Sequence, residues 1–210
     1  MIREIAAVML CLSLGQSMSC LASTPANRNI RYPLTKLIRL PLLRQATDYT
    51  CGVTCLQSIF GYYGEEFREE VLAKQLKSDH EQGTDYEKMA ALAKKRGYSV
   101  EIATEMTIDA LDHWLDQGKP AICLIQAWPD KKVDYANDWD DGHYVVAVGY
   151  DEKNLYFMDP STLGNYTYIP KQDFSARWHD KNIDKKLNHF AMAIYKNKVP
   201  YDPEAIQPLD

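Results

Sequence analysis

The sequence predicts an α+β domain in which N-terminal helices pack on a mostly antiparallel C-terminal sheet. Two patterns carry that expectation. Apolar residues recur at helical spacing in four stretches between Cys51 and Gln117, and from Ala121 onward short strand-like runs replace them. A chain of 210 residues, 46% hydrophobic and 11% aromatic, suits one such domain and excludes whole-chain disorder.

The first segment stands outside that domain. Met1-Ile2-Arg3-Glu4 leads into the apolar run Ile5 to Leu14 and then into the small, polar stretch Gly15 to Ser23. A charged start, a short apolar run and a small-residue exit describe a secretory signal peptide over residues 1–22, with cleavage after Ala22. The run falls short of the roughly 20 apolar residues of a membrane span. The expected location is therefore exported, in a periplasm or cell envelope. Membrane association would follow only if Cys20 were lipidated, and Ser17 stands where a lipobox has Leu.

The domain proper is expected over residues 30–196. Ile30 to Leu43 reads as an extended segment. A helix starts at Cys51, with Leu56, Ile59, Phe60 and Tyr63 on its apolar side, and stops at Gly64. Phe67 to Lys77 is a short amphipathic helix. Thr84-Asp85-Tyr86-Glu87 has the spacing of a capping box for a helix running to Arg96 and stopped by Gly97. Tyr98 to Ala103 alternates like a strand, and Thr107 caps a helix closed by Gly118 and Pro120. Strands are expected at Ala121 to Ala127, His143 to Tyr150, Leu155 to Met158, Tyr166 to Ile169 and His189 to Tyr195. Asp151 to Asn154 is a hairpin turn, Trp128 to Gly142 a long polar loop, and residues 197–210 an irregular tail with Pro200, Pro203 and Pro208.

Composition excludes several functions. Net charge is −5, and no face-sized basic run is present, so nucleic acid is not an expected partner. Five cysteines in 210 residues are too few for a disulfide-stapled scaffold. Removing residues 1–22 would leave Cys51, Cys55 and Cys123, an odd number in an oxidising compartment, so at least one thiol stays unpaired. Cys55 and Cys123 read as core residues, with a bridge between them as the alternative. Cys51, Cys55 and His143 match no common zinc spacing, and no metal or cofactor is expected.

Cys51 is where the chemistry concentrates. In the first turn of a helix, unsatisfied N–H groups and the macrodipole favour a negative charge, and the thiolate is the nucleophile. Gly52 removes a side chain beside the sulfur. Gln45, six residues upstream, can supply a side-chain N–H that joins the Cys51 backbone N–H in an oxyanion hole. Among five histidines, His143 and His189 each open an apolar strand. His143 is preferred as the base, because a hairpin returning from it brings Asp159 back to the same level sixteen residues later. The acidic stretch Asp138 to Asp141 is a solvated loop or a rim that selects basic substrate residues. Gly52, Asp141 and Gly142 are the candidate substrate-binding positions.

As a set, Gln45-x5-Cys51-Gly52 at a helix start, Gly142-His143 opening a strand, and Asp159-Pro160 sixteen residues on resemble a papain-like cysteine peptidase. More closely, they resemble the bacterial family that processes double-glycine leader peptides of bacteriocins. The likeness runs from about Leu40 to Phe174 and includes Leu111-x6-Gly118-Lys119-Pro120-Ala121-Ile122. It implies a papain-like fold, Cys51 as nucleophile, His143 as general base and acid, Asp159 as its orienter and Gln45 in the oxyanion hole. The best-known members precede the membrane spans and nucleotide-binding domain of a transporter. This sequence has no Walker motif and no membrane span, so a stand-alone exported member acting on a peptide or protein substrate is expected. The alternatives are a γ-glutamyl-peptide transferase on the same scaffold, as in phytochelatin synthases, and a catalytically idle peptide-binding module.

Overall fold

A computed structural model describes residues 34–128, 134–182, 184–206, 208 and 209, so the signal-peptide segment expected at residues 1–22 lies outside the described residues. The first strand, β1 (Lys36–Leu37), precedes α1 (Cys51–Tyr62), α2 (Glu69–Leu76) and α3 (Tyr86–Lys95). Then come β2 (Ser99–Ala103), α4 (Ile108–Asp116), β3 (Ala121–Gln126), β4 (Gly142–Tyr150), β5 (Asn154–Met158) and β6 (Thr167–Pro170). The chain closes with α5 (Lys171–Arg177), β7 (His179–Asn182), β8 (Lys185–Asn188) and β9 (Ala191–Tyr195).

Among the described residues, seven strands form one antiparallel sheet in the order β2-β9-β3-β4-β5-β6, with β1 beside the far end of β4. β3 is buried at every position, so its sequence reads as an unbroken apolar run rather than an alternation. The helix α1 is enclosed in the same way. It packs against β4, α2 and α3, and Val53, Cys55, Leu56, Ile59 and Phe60 are all fully buried. Burying side chains such as Leu56, Ile59 and Phe60 contributes roughly 1.5–3 kcal/mol each. This anchorage holds the N-terminal end of α1, where Cys51 sits, against the start of β4.

Several local expectations are corrected. The cap of α3 is Asp85, whose carboxylate accepts from the Glu87 N–H at 2.8 Å. Thr84 instead exchanges a hydroxyl bond with Ser78 at 3.0 Å and is buried. His189 does not open a strand. It lies in the left-handed region at φ 45°, stacks on Trp178, and bonds the Met106 carbonyl through Nδ1 at 3.0 Å, with β9 starting two residues later. The helix α5 and the β7–β8 hairpin have no counterpart in the sequence reading. Each is mostly polar, with Phe174 the one buried residue of α5 and Leu187 that of β8, too few for a period to show. The tail after Asn197 forms no helix or strand among the described residues. It lies along α1, with Tyr201 against Tyr62, and ties back through Glu204 to Arg39 at 2.8 Å.

Candidate active site

Cys51 is the first residue of α1 and half-buried. The preceding Thr50 gives the helix no side-chain cap; its hydroxyl turns back to Thr47, accepting from the Thr47 N–H at 3.2 Å. The Cys51 sulfur therefore sits at an uncapped helix start, where the backbone dipoles favour negative charge. Cys55, one turn on, is fully buried, and burial pushes its thiol well up, as it does for Cys123. Among the described residues Cys51, Cys55 and Cys123 are free thiols, so the alternative of a Cys55–Cys123 bridge is not realised.

His143 follows the first residue of β4 and is buried. Its Nε2–H donates to Asp159 Oδ1 at 2.9 Å, and the Cys51 sulfur is near enough to act on the ring. With Nε2 committed to the carboxylate, Nδ1 is the nitrogen left for the thiol. Burial opposes a charged imidazole here, but Asp159 and Cys51 outweigh it and raise His143 to about 9. Burial also opposes the charge on Asp159. The bonds it accepts from His143, the Ser161 N–H (2.9 Å) and the Thr162 hydroxyl (3.0 Å) nevertheless hold its carboxyl below the usual range. Asp159 is placed by the hairpin that pairs β4 with β5, Val146 opposite Met158, whose turn is closed by Asp151 Oδ1 accepting from Lys153 and Asn154 N–H at 2.7 Å each.

Gln45 is fixed at three points. Its backbone N–H donates to the Pro160 carbonyl (2.8 Å), Oε1 accepts from the Ser161 hydroxyl (3.2 Å), and Nε2–H donates to the Thr47 carbonyl (2.6 Å). Next to it, the Ala46 N–H donates to the Glu69 carboxylate of α2 at 3.0 Å. The segment 159–162 thus holds both the carboxylate on His143 and the amide of Gln45. The sequence signal for it was present: Asp-Pro-Ser-Thr is an Asx-turn pattern, in which the carboxylate takes the N–H two residues on.

The remaining candidates fall differently. Gly52 is fully enclosed in the helix packing, and a Cβ there would stand 2.8 Å from Thr84 Cβ and 3.0 Å from Tyr144 Cδ2. Its missing side chain makes room for the protein's own core, where an opening for substrate was expected. Gly52→Ala is expected to destabilise the fold by about 1–3 kcal/mol, the range for overpacking, with a lowered thermal midpoint as the readout. Gly142 is approached closely by the Asp180 carboxyl, which burial raises to about 6. The backbone of Asp141 is engaged by Gln126 Oε1 and the Ala127 N–H, both at 2.9 Å. Asp140 faces Lys181 at 3.6 Å, and the carboxylate bonded to His143 is that of Asp159.

A thiol, an imidazole and a carboxylate therefore converge from three separate elements. A model of the Peptidase_C39 like family matches residues 37–182. The chain belongs to that family. Its fold is the papain-like α+β fold shared with solved C39 peptidase domains. The peptidase domain of Streptococcus ComA, a bifunctional ABC transporter of a quorum-sensing pathway, is 22% identical with a TM-score of 0.56, covering 75% of this chain and 97% of that domain. A C39-like peptidase from Bacillus anthracis is 20% identical with a TM-score of 0.60, covering 77% of this chain and 98% of its own. A double-glycine motif protease from an AMS/PCAT transporter, solved with its leader peptide, is 16% identical with a TM-score of 0.50, over 76% and 94% of the two chains. No curated protein matches the chain. C39 membership fits a cysteine peptidase-type function.

Proposed function

We propose that this C39-family chain is a cysteine peptidase that hydrolyses a peptide bond through an acyl-enzyme. The observation that carries the reading is the buried His143, bonded to Asp159 at 2.9 Å and close enough to Cys51 at the start of α1 for the sulfur to raise its pKa. Below a pH of about 9, His143 holds its proton, and in the proposed cycle Cys51 reacts as the thiolate. The thiolate attacks the scissile carbonyl carbon. The oxygen becomes an oxyanion, met by the Cys51 N–H and the second Nε2–H of Gln45, whose first is spent on Thr47. His143 gives its proton to the leaving amine, leaving the acyl group on sulfur. Neutral His143 then draws a proton from water, which attacks the thioester, and the thiolate and imidazolium are restored.

A peptide as substrate is supported by the leader peptide bound to the AMS/PCAT protease. An idle binding module would be expected to have lost one of the three groups, and Cys51, His143 and Asp159 are all present and brought together. The test is mass spectrometry of a peptide mixture incubated with the purified chain or with Cys51→Ala. Cleavage products are expected with the first and are absent with the second. Identical product lists from the two would refute the assignment.

A further inference from the structure

Trp128 follows the end of β3 and is 56% exposed, an unusual place for so large an apolar side chain. The chain just before it is nevertheless tightly held. Two residues earlier, the fully buried Gln126 spends its whole amide. Nε2 donates to the His179 carbonyl and to Asp180 Oδ1, both at 3.1 Å, and Oε1 accepts from the Asp141 N–H at 2.9 Å. The Ala127 N–H adds a bond to the Asp141 carbonyl at 2.9 Å. At this clamp Trp128 takes φ 46°, a left-handed conformation that residues with a Cβ enter only against strain. A glycine would make the same turn without that strain. What the tryptophan gains is contact with the catalytic ring: its indole and the His143 imidazole lie 4.3 Å apart at their centroids, tilted by 59°.

We infer that Trp128 is a positioning residue of the peptidase, its indole lying against His143 so that the protonated ring stays paired with Cys51. The inference rests on the proposed function. An aromatic ring attracts a cation, and at 4.3 Å that attraction favours imidazolium; the water it sheds disfavours the charge by itself, but its exclusion also keeps solvent from competing for the bonds His143 makes. The titratable groups acting on His143 are Cys51 from α1 and Asp159 from the end of β5. Trp128 carries no charge, so its removal changes their coupling only through solvent and the π electrons.

Alkylation by iodoacetamide tests this without requiring a known substrate. The purified chain, Trp128→Ala and Trp128→Phe are each alkylated across a pH series, with Cys51 followed by mass spectrometry and thermal midpoints measured alongside. Cys51 is half-buried, whereas Cys55 and Cys123 are fully buried, so the label distinguishes them. In the unaltered chain, labelling is expected to persist well below the pH of about 8.5 at which a free thiol ionises. Trp128→Ala should move the half-maximal pH upward by about half a unit or more, a loss of threefold or more in rate on the acid side. Trp128→Phe should stay near the unaltered chain, and the exposed position should leave all three midpoints alike. An unmoved profile in Trp128→Ala, or a Trp128→Phe profile no better than that of the alanine variant, would overturn the positioning role. Should the unaltered chain label like a free thiol, the Cys51–His143 pair itself is wrong, and both this inference and the proposed function fail together. A normal baseline with an unmoved variant fails this inference alone.

Discussion

Asp159→Ala is expected to lower kcat by about a thousandfold or more, equivalent to about 4 kcal/mol of transition-state stabilisation, whereas Asp159→Asn should keep a measurable part of it. The two variants differ in what they leave on His143. Asparagine retains an oxygen that can accept the Nε2–H now donated at 2.9 Å; alanine leaves a buried ring nitrogen with no acceptor. A thiolate–imidazolium pair uses His143 with protons on both nitrogens, so the amide oxygen can still hold the ring in its working orientation.

The pH profile separates charge from geometry in these variants. His143 is raised to about 9, so the protonated ring needed to donate to the leaving amine persists to about that pH and is lost above it. Activity of the unaltered chain should fall on the alkaline side near 9. Both the bond and the negative charge of Asp159 are among the causes of that raised value, alongside Cys51. Removing the charge in Asp159→Asn therefore moves the alkaline limb downward, toward the ordinary histidine value of about 6.5. The check is kcat/KM against pH for any peptide the chain cleaves. An alkaline limb that stays in place in Asp159→Asn would mean that another group sets it.

The grouping of Cys51, His143 and Asp159 was the most legible part of the sequence, because each of the three marks an element boundary. Cys51 begins a helix, His143 sits at the start of a strand, and Asp159 ends the hairpin whose turn is written in Asp151 to Asn154. The fold class was legible for a related reason: long periodic segments such as 51–62 and 142–150 announce themselves, as does the helix capped by Thr107, whose hydroxyl accepts the Ala110 N–H at 3.2 Å. What stayed hidden depends on contacts between segments far apart in the chain. Gly52 looked like an opening at the nucleophile, and only the approach of Thr84 and Tyr144 shows it filled. Trp128 looked like the first residue of a polar loop, and nothing local says that its ring meets His143. The β7–β8 hairpin carries Asp180 to Gly142, yet its run of Asp, Lys and Asn has no alternation to read. Thr84 missed its expected cap by one position because Asp85 competes for the same N–H groups and the Thr84 side chain is drawn into the core beside Gly52.

Gln45→Ala is expected to lower kcat by about a hundredfold with little change in KM, because the oxyanion its amide would serve exists only in the transition state. The direction of that amide is what makes the expectation specific. Ser161 donates its hydroxyl proton to Oε1 at 3.2 Å, which fixes the oxygen on the Ser161 side and leaves Nε2 as the end that can face the reacting carbonyl. One Nε2 proton is held by the Thr47 carbonyl at 2.6 Å, and the other remains for the oxyanion. Gln45→Glu should then be at least as damaging as Gln45→Ala, since it sets a negative charge where a donor is needed. Ser161→Ala should produce a smaller fall in kcat of the same kind, because it frees the amide to turn without removing it. Steady-state kinetics on a cleaved peptide, with kcat and KM resolved, checks all three. If Gln45→Ala raised KM and left kcat intact, the amide would be gripping the ground-state substrate, and the oxyanion would be left with the backbone N–H of Cys51 as its donor.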